Sequence, residues 1–311
     1  MKIGLDIMGG DFAPKATVLG AIEAQKVLLP GQTIVLFGDK DQALPLISED
    51  GIDPEVFEYV HTTEMIGMGE HAAKAVLQKP NSSISLGFQY LKDGQIDAFS
   101  SAGNTGAMLV GAMFSVKPVA GVIRPAIATN VPKLKSGFGI MLDVGANADC
   151  KPEVLAQFGI LGSLYAEHVY HVNNPKVALM NIGEEEEKGN VLTQATFPLM
   201  QKTNLNFVGN IEGRDLFNDK ADVIVCDGFT GNVMLKLAET FYILTLKKGF
   251  TDEFFDRFNY EQYGGSPILG VNAPVLIGHG ISSPEAIKNM VLLCRTMIEA
   301  KFVDKIKEAF N

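Results

Sequence analysis

Short loops rich in glycine, asparagine, serine, threonine and aspartate follow five apolar runs of this chain, and each loop leads into a helical pattern. Such loops can bind an anion, because glycine lets backbone N–H groups approach a ligand and a helix start leaves N–H groups unpaired. In an open parallel α/β sheet they all lie at the carboxyl ends of the strands, where ligands bind. We therefore expect one phosphate-handling site, built from residues 8–11, 100–106, 145–149, 229–232 and 278–283.

Glycines at the strand ends are expected to allow close backbone approach and positive φ, so that successive N–H groups point into one concavity. Gly103, Gly106, Gly231 and Gly280 are interpreted in this way. Polar neighbours supply further hydrogen-bonding groups. The full set of predicted phosphate-binding or substrate-binding residues is Gly9, Gly10, Asp11, Ser101, Gly103, Asn104, Thr105, Gly106, Gly145, Asn147, Asp149, Glu184, Thr230, Gly231, His279 and Gly280.

Lys188 is the first candidate for a catalytic cation. It follows a run of glutamates and precedes Gly189, in a loop after a predicted strand at 177–181. Its ammonium can neutralise an incoming phosphate or a developing oxyanion, with Glu184 or Glu185 orienting it. The alternative is a solvated helix start, where the glutamates favour the helix dipole and Lys188 forms an ordinary exposed pair. Spacing alone leaves both interpretations open.

Asn232 is the second catalytic candidate, because it lies where a predicted strand turns into a predicted helix at 233–241. Its amide can donate a hydrogen bond to an oxyanion, or it can cap the helix. Asn104, Thr105, Asn147 and Asp149 carry the same two interpretations. His279 can bind phosphate or shuttle a proton, or it can be a loop histidine satisfied by the backbone.

Aspartates and cysteines raise two further kinds of chemistry. Asp6 and Asp143 end apolar runs, so we expect buried carboxylates that organise loops rather than a metal site, and we predict neither metal nor cofactor. Cys150 follows Asp149 at a predicted helix start, where a thiolate and a covalent acyl-cysteine are conceivable. Cys226 is expected in the core. We favour direct attack by phosphate over covalent catalysis.

Composition restricts the class of protein. The chain has 311 residues, 47% of them hydrophobic, and can bury a large core. A net charge of -10 argues against nucleic acid as a partner. The three cysteines have no paired spacing, and Met1 leads straight into a strand-like run. We therefore expect free thiols, no export signal and a cytoplasmic location. Peripheral contact with the inner face of the cell membrane is compatible with that location.

Strands and helices alternate along the sequence. After the first loop, residues 16–29 favour a helix that ends at Pro30. The pattern predicts a single catalytic domain over residues 1–311, a three-layer α/β/α sandwich with a mostly parallel sheet. Predicted strands after the first are 33–37, 57–60, 98–100, 126–129, 138–144, 177–181, 205–209, 222–225 and 274–277.

Residues 237–263 differ from the rest and predict a protruding amphipathic helical element. Phe250, Phe254 and Phe258 recur at helical spacing with Phe255 beside them, while acidic residues occupy the other face. The favoured interpretation is a stripe that packs on the core or across a dimer interface. The alternative is an element that inserts phenylalanines into a membrane surface.

Several longer segments are far more specific than single glycine patterns. They are DIMGGDFAP at 6–14, SSAGNTGA at 100–107, LDVGANADCKPEVLAQFG at 142–159, NIGEEEEKG at 181–189, GNIEGRD at 209–215, DGFTGNVMLK at 227–236, and YGGSPILG with GHG between 263 and 280. Together they resemble one family, the bacterial phosphate acyltransferases of phospholipid synthesis. The resemblance covers nearly the whole chain, with the motifs in family order.

The resemblance implies an activity and partners. A long fatty acyl group would pass from the phosphopantetheine thioester of acyl carrier protein to inorganic phosphate, and the acyl phosphate would feed a membrane glycerol-3-phosphate acyltransferase in phosphatidic acid synthesis. It also implies a fold similar to phosphotransacetylases and isopropylmalate dehydrogenases and a usual homodimer, and it favours the catalytic interpretation of Lys188. Alternatives are a phosphotransacetylase that uses acyl-CoA, a metal-dependent and NAD-dependent dehydrogenase, and a non-catalytic binding module.

Residues 77–83 depart from the family pattern. The family typically has a denser run of arginine and lysine there, whereas this chain has only Lys79. If that run binds phosphate or carrier protein, the charge must come from elsewhere. Lys117, Arg124, Lys133 and Lys135 are the candidates.

Overall fold

The chain folds into two compact units. The computed structural model describes residues 1–135 and 137–311, with the backbone alone at Tyr260. Unit 1 comprises Met1–Pro118 and Tyr260–Val303, and unit 2 comprises Val119–Asn259 and Asp304–Asn311. That residues 1–311 act as a single catalytic domain stays a prediction.

Strands and helices alternate through the described residues. The strands are β1 Lys2–Asp6, β2 Thr33–Gly38, β3 Glu58–His61, β4 Ala98–Ser101, β5 Ala126–Pro132, β6 Phe138–Leu142, β7 Lys176–Met180, β8 Asn206–Ile211, β9 Val223–Val225, β10 Ser266–Leu269 and β11 Val275–Ile277. The α-helices are α1 Lys15–Gln25, α2 Lys40–Glu49, α3 Ala72–Gln78, α4 Ser83–Lys92, α5 Thr105–Gly111, α6 Pro152–His168, α7 Val191–Gln201, α8 Gly228–Lys247, α9 Glu253–Asp256, α10 Pro284–Glu299 and α11 Phe302–Phe310.

In unit 1 the strands pair in the order β3, β2, β1, β4, β11, β10. All neighbours are parallel except β10 and β11. The central strand β1 is buried from Ile3 to Asp6, as expected of a parallel strand covered on both faces. The carboxyl ends of β1, β4 and β11 therefore lie side by side, and the loops that follow them lie at the same edge of the sheet.

In unit 2 the order is β5, β6, β9, β7, β8. Only β5 and β6 are antiparallel. Strand β9 is fully buried, and α8 begins directly after it. The predicted α/β fold with a mostly parallel sheet and flanking helices is thus confirmed.

Most predicted strands differ from the observed bounds by up to three residues, and three other differences are larger or change the element type. Strand β10 was not predicted, because it is short and preceded by two glycines with positive φ. Helix α1 ends at Gln25, before the predicted position 29. Residues 229–232 were predicted as a loop, but they form the first turn of α8, because the Asp227 side chain caps that helix by accepting the Thr230 N–H at 2.8 Å.

The continuous helix predicted over 237–263 is wrong. Helix α8 ends at Lys247, and the next helix, α9, holds only Glu253–Asp256. Phe254 and Phe258 pack edge-to-face on Phe217 at ring separations of 5.9 and 5.2 Å, whereas Phe250 is 54% exposed. Part of the stripe therefore packs within unit 2. Among the described residues, no helix combines the length and apolarity needed to cross a membrane.

Candidate functional site

A buried aspartate joins two loops of unit 1. The carboxylate of Asp6 accepts hydrogen bonds from the Met8 N–H at 2.9 Å and from the Ser101 hydroxyl at 2.6 Å. The same hydroxyl oxygen accepts the Gly103 N–H at 2.9 Å. Burial raises the pKa of Asp6, and the bond from Ser101 opposes that rise. The loop-organising role predicted for Asp6 is confirmed.

The loop after β11 joins the same group. The Asp11 N–H donates to the Gly280 carbonyl at 2.7 Å. A Cβ on Gly9 would lie 2.7 Å from the Gly103 nitrogen, and one on Gly280 would lie 2.9 Å from Met68 Cε. Three of the five predicted loops therefore meet within unit 1, and at Gly9 the lack of a side chain permits the close contact with the loop after β4.

Asn104 is used by the fold. Its amide nitrogen donates to the carbonyls of Gly67, Met68 and Glu70 at 3.0–3.1 Å. Its side-chain oxygen caps α5 by accepting the Ala107 N–H at 3.0 Å. These contacts agree with the capping interpretation and fasten residues 67–70 over the loop.

The remaining unit 1 candidates lie around this group. Thr105 is exposed in the first turn of α5, and Gly106 packs against the methyl group of Ala72. His279 is half-buried, and its carbonyl accepts the Ser282 N–H at 3.0 Å. Their roles toward phosphate stay predictions.

Asp143 plays the corresponding part in unit 2. This fully buried carboxylate accepts the N–H groups of Ile127 at 3.0 Å, Ala146 at 3.1 Å and Asn147 at 2.6 Å, and the Asn147 amide at 2.9 Å. Burial raises the pKa of Asp143, while the bonds from Asn147 oppose the rise. The side chain of Asn147 is occupied in holding its own loop. The predicted organising role of Asp143 is likewise confirmed.

The first turn of α8 packs on the Asp143 loop. The Gly228 N–H donates to the Asn147 carbonyl at 2.8 Å. A Cβ on Gly231 would collide with the carbonyl oxygen of Asp143. Close approach, rather than backbone freedom, thus explains Gly231.

Asn232 does not cap α8, because Asp227 does. The Asn232 amide nitrogen donates to the Val144 carbonyl at 3.2 Å and lies over Gly145. An amide nitrogen has two protons, so this contact leaves one for another acceptor. The capping interpretation of Asn232 is therefore wrong, and a donor role stays open.

Positive φ occurs in these loops, but at glycines other than those for which it was predicted. Gly10 and Gly145 have φ of 107° and 126°, values that favour glycine. The positive φ expected at four loop glycines is wrong, because those four sit at close approaches or helix starts: Gly103, Gly106, Gly231 and Gly280.

Lys188 is exposed, and its backbone forms two hydrogen bonds within the loop. Its N–H donates to the Glu185 carbonyl at 3.1 Å, and its carbonyl accepts from the Asn181 amide at 3.1 Å. Glu184 does not orient it, because that carboxylate pairs with Lys220 at 2.5 Å. Within the described ranges the Lys188 ammonium has no ion-pair partner, which leaves it available to an anion.

A pocket of about 730 Å³ opens between α8 and the loop after β7. Polar groups of Asn181, Asn190, Thr193, Asp227 and Thr230 line one part. The rest is apolar and includes Leu155, Met180, Leu216, Phe217, Met234 and Phe241.

A second pocket of about 490 Å³ shares the polar end of the first. Asn190, Asp227 and Thr230 line both, and Asp149 lines the second. Gly189, next to Lys188, also lines the first. The two candidate loops of unit 2 and the loop that carries Lys188 thus meet at one polar region, whereas Lys188 and Asn232 themselves are not among the residues that line either pocket. That this region and the three loops of unit 1 form one site stays a prediction.

The sequence does not predict the apolar lining of the larger pocket. Its signal is the spacing of Met234, Leu237, Ala238 and Phe241, an apolar row on one face of a helix. In sequence that row is indistinguishable from an ordinary core face, because burial is not visible there.

Cys150 is unsuited to nucleophilic catalysis. Burial, with Asp143 and Asp227 nearby, raises the pKa of its thiol to about 12. Helix α6 begins only at Pro152, so no helix start stabilises a thiolate at position 150. The thiolate envisaged from the sequence is therefore wrong.

We expect Cys150→Ser to retain turnover within about two-fold, because a protonated thiol contributes no nucleophile. For the same reason iodoacetamide at pH 8 should alkylate Cys150 much more slowly than a free thiol. Mass spectrometry of the alkylated protein and steady-state rates check both results. A stable acyl adduct on Cys150 would contradict them.

Basic residues proposed as substitutes for the missing cluster are partly engaged. Lys133 pairs with Asp222 at 2.6 Å and Lys135 with Asp219 at 3.2 Å. Lys79, the one basic residue of 77–83, pairs with Glu70 at 2.6 Å. Lys117 and Arg124 stay the open candidates for carrier-protein docking.

One group of side chains has metal-ligand spacing. Among the described residues it comprises Asp39, Asp41 and His61. Asp39 is the N-cap of α2, however, and His61 Nδ1 accepts the Lys40 N–H at 3.0 Å. These contacts explain the cluster as helix capping.

Comparison with known proteins identifies the family of this chain. The family model described as "Fatty acid synthesis protein" matches residues 1–305. A phosphate acyltransferase of Dictyoglomus turgidum is 42% identical over all of this chain and 98% of its own length. One of Desulforamulus reducens is 44% identical with the same coverage.

Solved structures support the fold. A phosphotransacetylase from Streptococcus pyogenes superposes with a TM-score of 0.70 at 16% identity, covering 96% of this chain and 94% of its own. A branched-chain phosphotransacylase from Enterococcus faecalis gives 0.65 at 15% identity, covering 96% and 99%. With the family match over residues 1–305 and relatives above 40% identity along its whole length, the chain belongs to the phosphate acyltransferase family.

Proposed function

We propose that this acyltransferase moves a long-chain fatty acyl group from acyl carrier protein to inorganic phosphate, giving acyl phosphate for phosphatidic acid synthesis. The observation that carries the proposal is the polar region of unit 2. There Gly189, next to the exposed and unpaired Lys188, and the polar side chains of Asn190, Asp227 and Thr230 adjoin an apolar pocket. Such a site suits an inorganic anion and an acyl chain together.

In the proposed reaction a phosphate oxygen attacks the thioester carbonyl carbon. The carbonyl electrons move to oxygen, and the tetrahedral oxyanion then expels the thiolate, which takes the C–S electron pair and gains a proton from solvent. Lys188 neutralises the phosphate or the oxyanion, and the second Asn232 amide proton supports the oxyanion. Little base catalysis is needed, because much of the phosphate is already dianionic near neutral pH.

Release of acyl phosphate tests the proposal. Purified protein receives palmitoyl carrier protein and phosphate, and hydroxylamine traps acyl phosphate as hydroxamate. We expect hydroxamate with carrier protein as donor and much less with acetyl-CoA. Preference for acetyl-CoA would favour a phosphotransacetylase, and binding without turnover would favour a non-catalytic module.

We further propose a homodimer that meets the inner face of the cell membrane transiently, where a glycerol-3-phosphate acyltransferase can accept the product. Support comes from exposed apolar side chains along and beyond α8, including Leu244, Leu246 and Phe250. Such a row favours burial against a second surface. The remaining phenylalanines, 254, 255 and 258, are half-buried in their own cluster.

Phe250 and Phe258 should respond differently to a charge. Phe250→Asp is expected to weaken liposome co-sedimentation or dimerisation without a large change in Tm, because this side chain is exposed. Phe258→Asp should lower Tm, because its ring packs on Phe217 at 5.2 Å. Ultracentrifugation, sedimentation with anionic vesicles and thermal unfolding check the pair. Equal loss of Tm in both variants would contradict a surface role for Phe250.

A further inference from the structure

One row of side chains on α8 forms a wall of the larger pocket. Thr230, Met234, Ala238 and Phe241 line it together with Leu237, at the spacing of a single helix face. Thr230 belongs to the polar end and Phe241 to the apolar part. Because an α-helix rises about 1.5 Å per residue, the row from Thr230 to Phe241 is about 16 Å long.

The shape and chemistry of this row fit a linear apolar chain with one reactive polar end. The polar end is shared with the pocket that reaches Asp149, where the proposed anion chemistry takes place. The opposite wall is apolar, with Met180 and Leu216. A compact or charged ligand would leave this apolar length unused.

We propose that the acyl chain lies along α8 from Thr230 toward Phe241, and that Ala238 sets the usable length of the pocket. Ala238 is the smallest side chain in the apolar row. It therefore leaves more space beside the helix than Met234 or Phe241 does. A larger side chain at 238 narrows the path partway along. Ala238 is a specificity residue in this arrangement, and the inference rests on the proposed acyl transfer.

Each methylene group that is transferred from water into the pocket should raise the binding affinity about fourfold. Affinity for saturated fatty acids should therefore rise steeply from octanoic to palmitic acid in the natural chain. Ala238→Phe should exclude at least two methylenes, which lowers palmitate affinity about tenfold or more and flattens the dependence on length. The ratio of kcat/KM for palmitoyl to octanoyl carrier protein should fall in parallel.

Thr240→Phe is the matched control, because it adds the same ring to α8 at an exposed position outside the pocket. The hydroxyl that it removes donates a hydrogen bond to the Lys236 carbonyl at 2.7 Å. It should keep the natural length profile. Ala238→Val adds less bulk and should give an intermediate profile if Ala238→Phe folds poorly, as judged by circular dichroism. Fatty-acid affinities are measured by displacement of a fluorescent fatty-acid analogue.

The outcomes separate this inference from the proposed function. A changed length profile in fatty-acid binding, with no acyl phosphate from any donor, would support the pocket and overturn the function. Acyl phosphate formation with an unaltered profile in Ala238→Phe would overturn the inference alone. A loss of dimer in Ala238→Phe without a change in profile would also overturn it, because the pocket would then be covered by a second copy.

Discussion

Replacement of Lys188 by alanine is expected to lower turnover about 10²-fold or more, the scale for losing one preorganised charge stabiliser. The side chain is exposed, and the loop is held by backbone bonds to Glu185 and Asn181, so the fold should be unaffected. Because the ammonium acts on charge that develops in the transition state, the loss should appear in kcat as well as in kcat/KM for phosphate.

Two further variants sharpen the Lys188 experiment. Lys202→Ala removes an equally exposed ammonium at the end of α7 and should leave rates near normal. Asn232→Ala should lower turnover on a similar scale, but it also deletes the bond to the Val144 carbonyl, so its Tm must be compared. Near-normal turnover in both Lys188→Ala and Asn232→Ala would remove this site assignment.

The sequence predicts the strands and most strand ends well, because a buried parallel strand is a compact apolar run. It predicts the organising roles of Asp6 and Asp143 for a related reason. A carboxylate that ends such a run is surrounded by the N–H groups of its own loop, and those groups satisfy it.

Side-chain partners are less predictable, because they depend on contacts distant in sequence. Glu184 pairs with Lys220 rather than with its near neighbour Lys188. The phenylalanines at 250–258 have helical spacing, yet α8 ends at Lys247. Phe254 and Phe258 pack instead against Phe217, which is distant in sequence. Asp227 takes the capping position that Asn232 was considered for, and only its hydrogen bond to Thr230 reveals this.

Asp143→Ala is expected to lower the free energy of unfolding by about 3 kcal/mol or more. The change removes the acceptor of three backbone N–H groups, those of Ile127, Ala146 and Asn147, and of the Asn147 amide. The site is fully buried, so water cannot replace the carboxylate without disrupting the loop.

The loop that Asp143 holds also supports the first turn of α8, through Gly228 and Gly231. The variant should therefore lose phosphate-dependent thermal stabilisation together with stability. For the free energy of unfolding without phosphate, Asp149→Ala is the matched control, because this aspartate is exposed in the same loop and should change stability by less than about 0.5 kcal/mol. Urea unfolding of both variants gives the comparison. Equal stability of the two would show that the hydrogen bonds to Asp143 do not hold the loop, and the polar region of unit 2 would lose its structural basis.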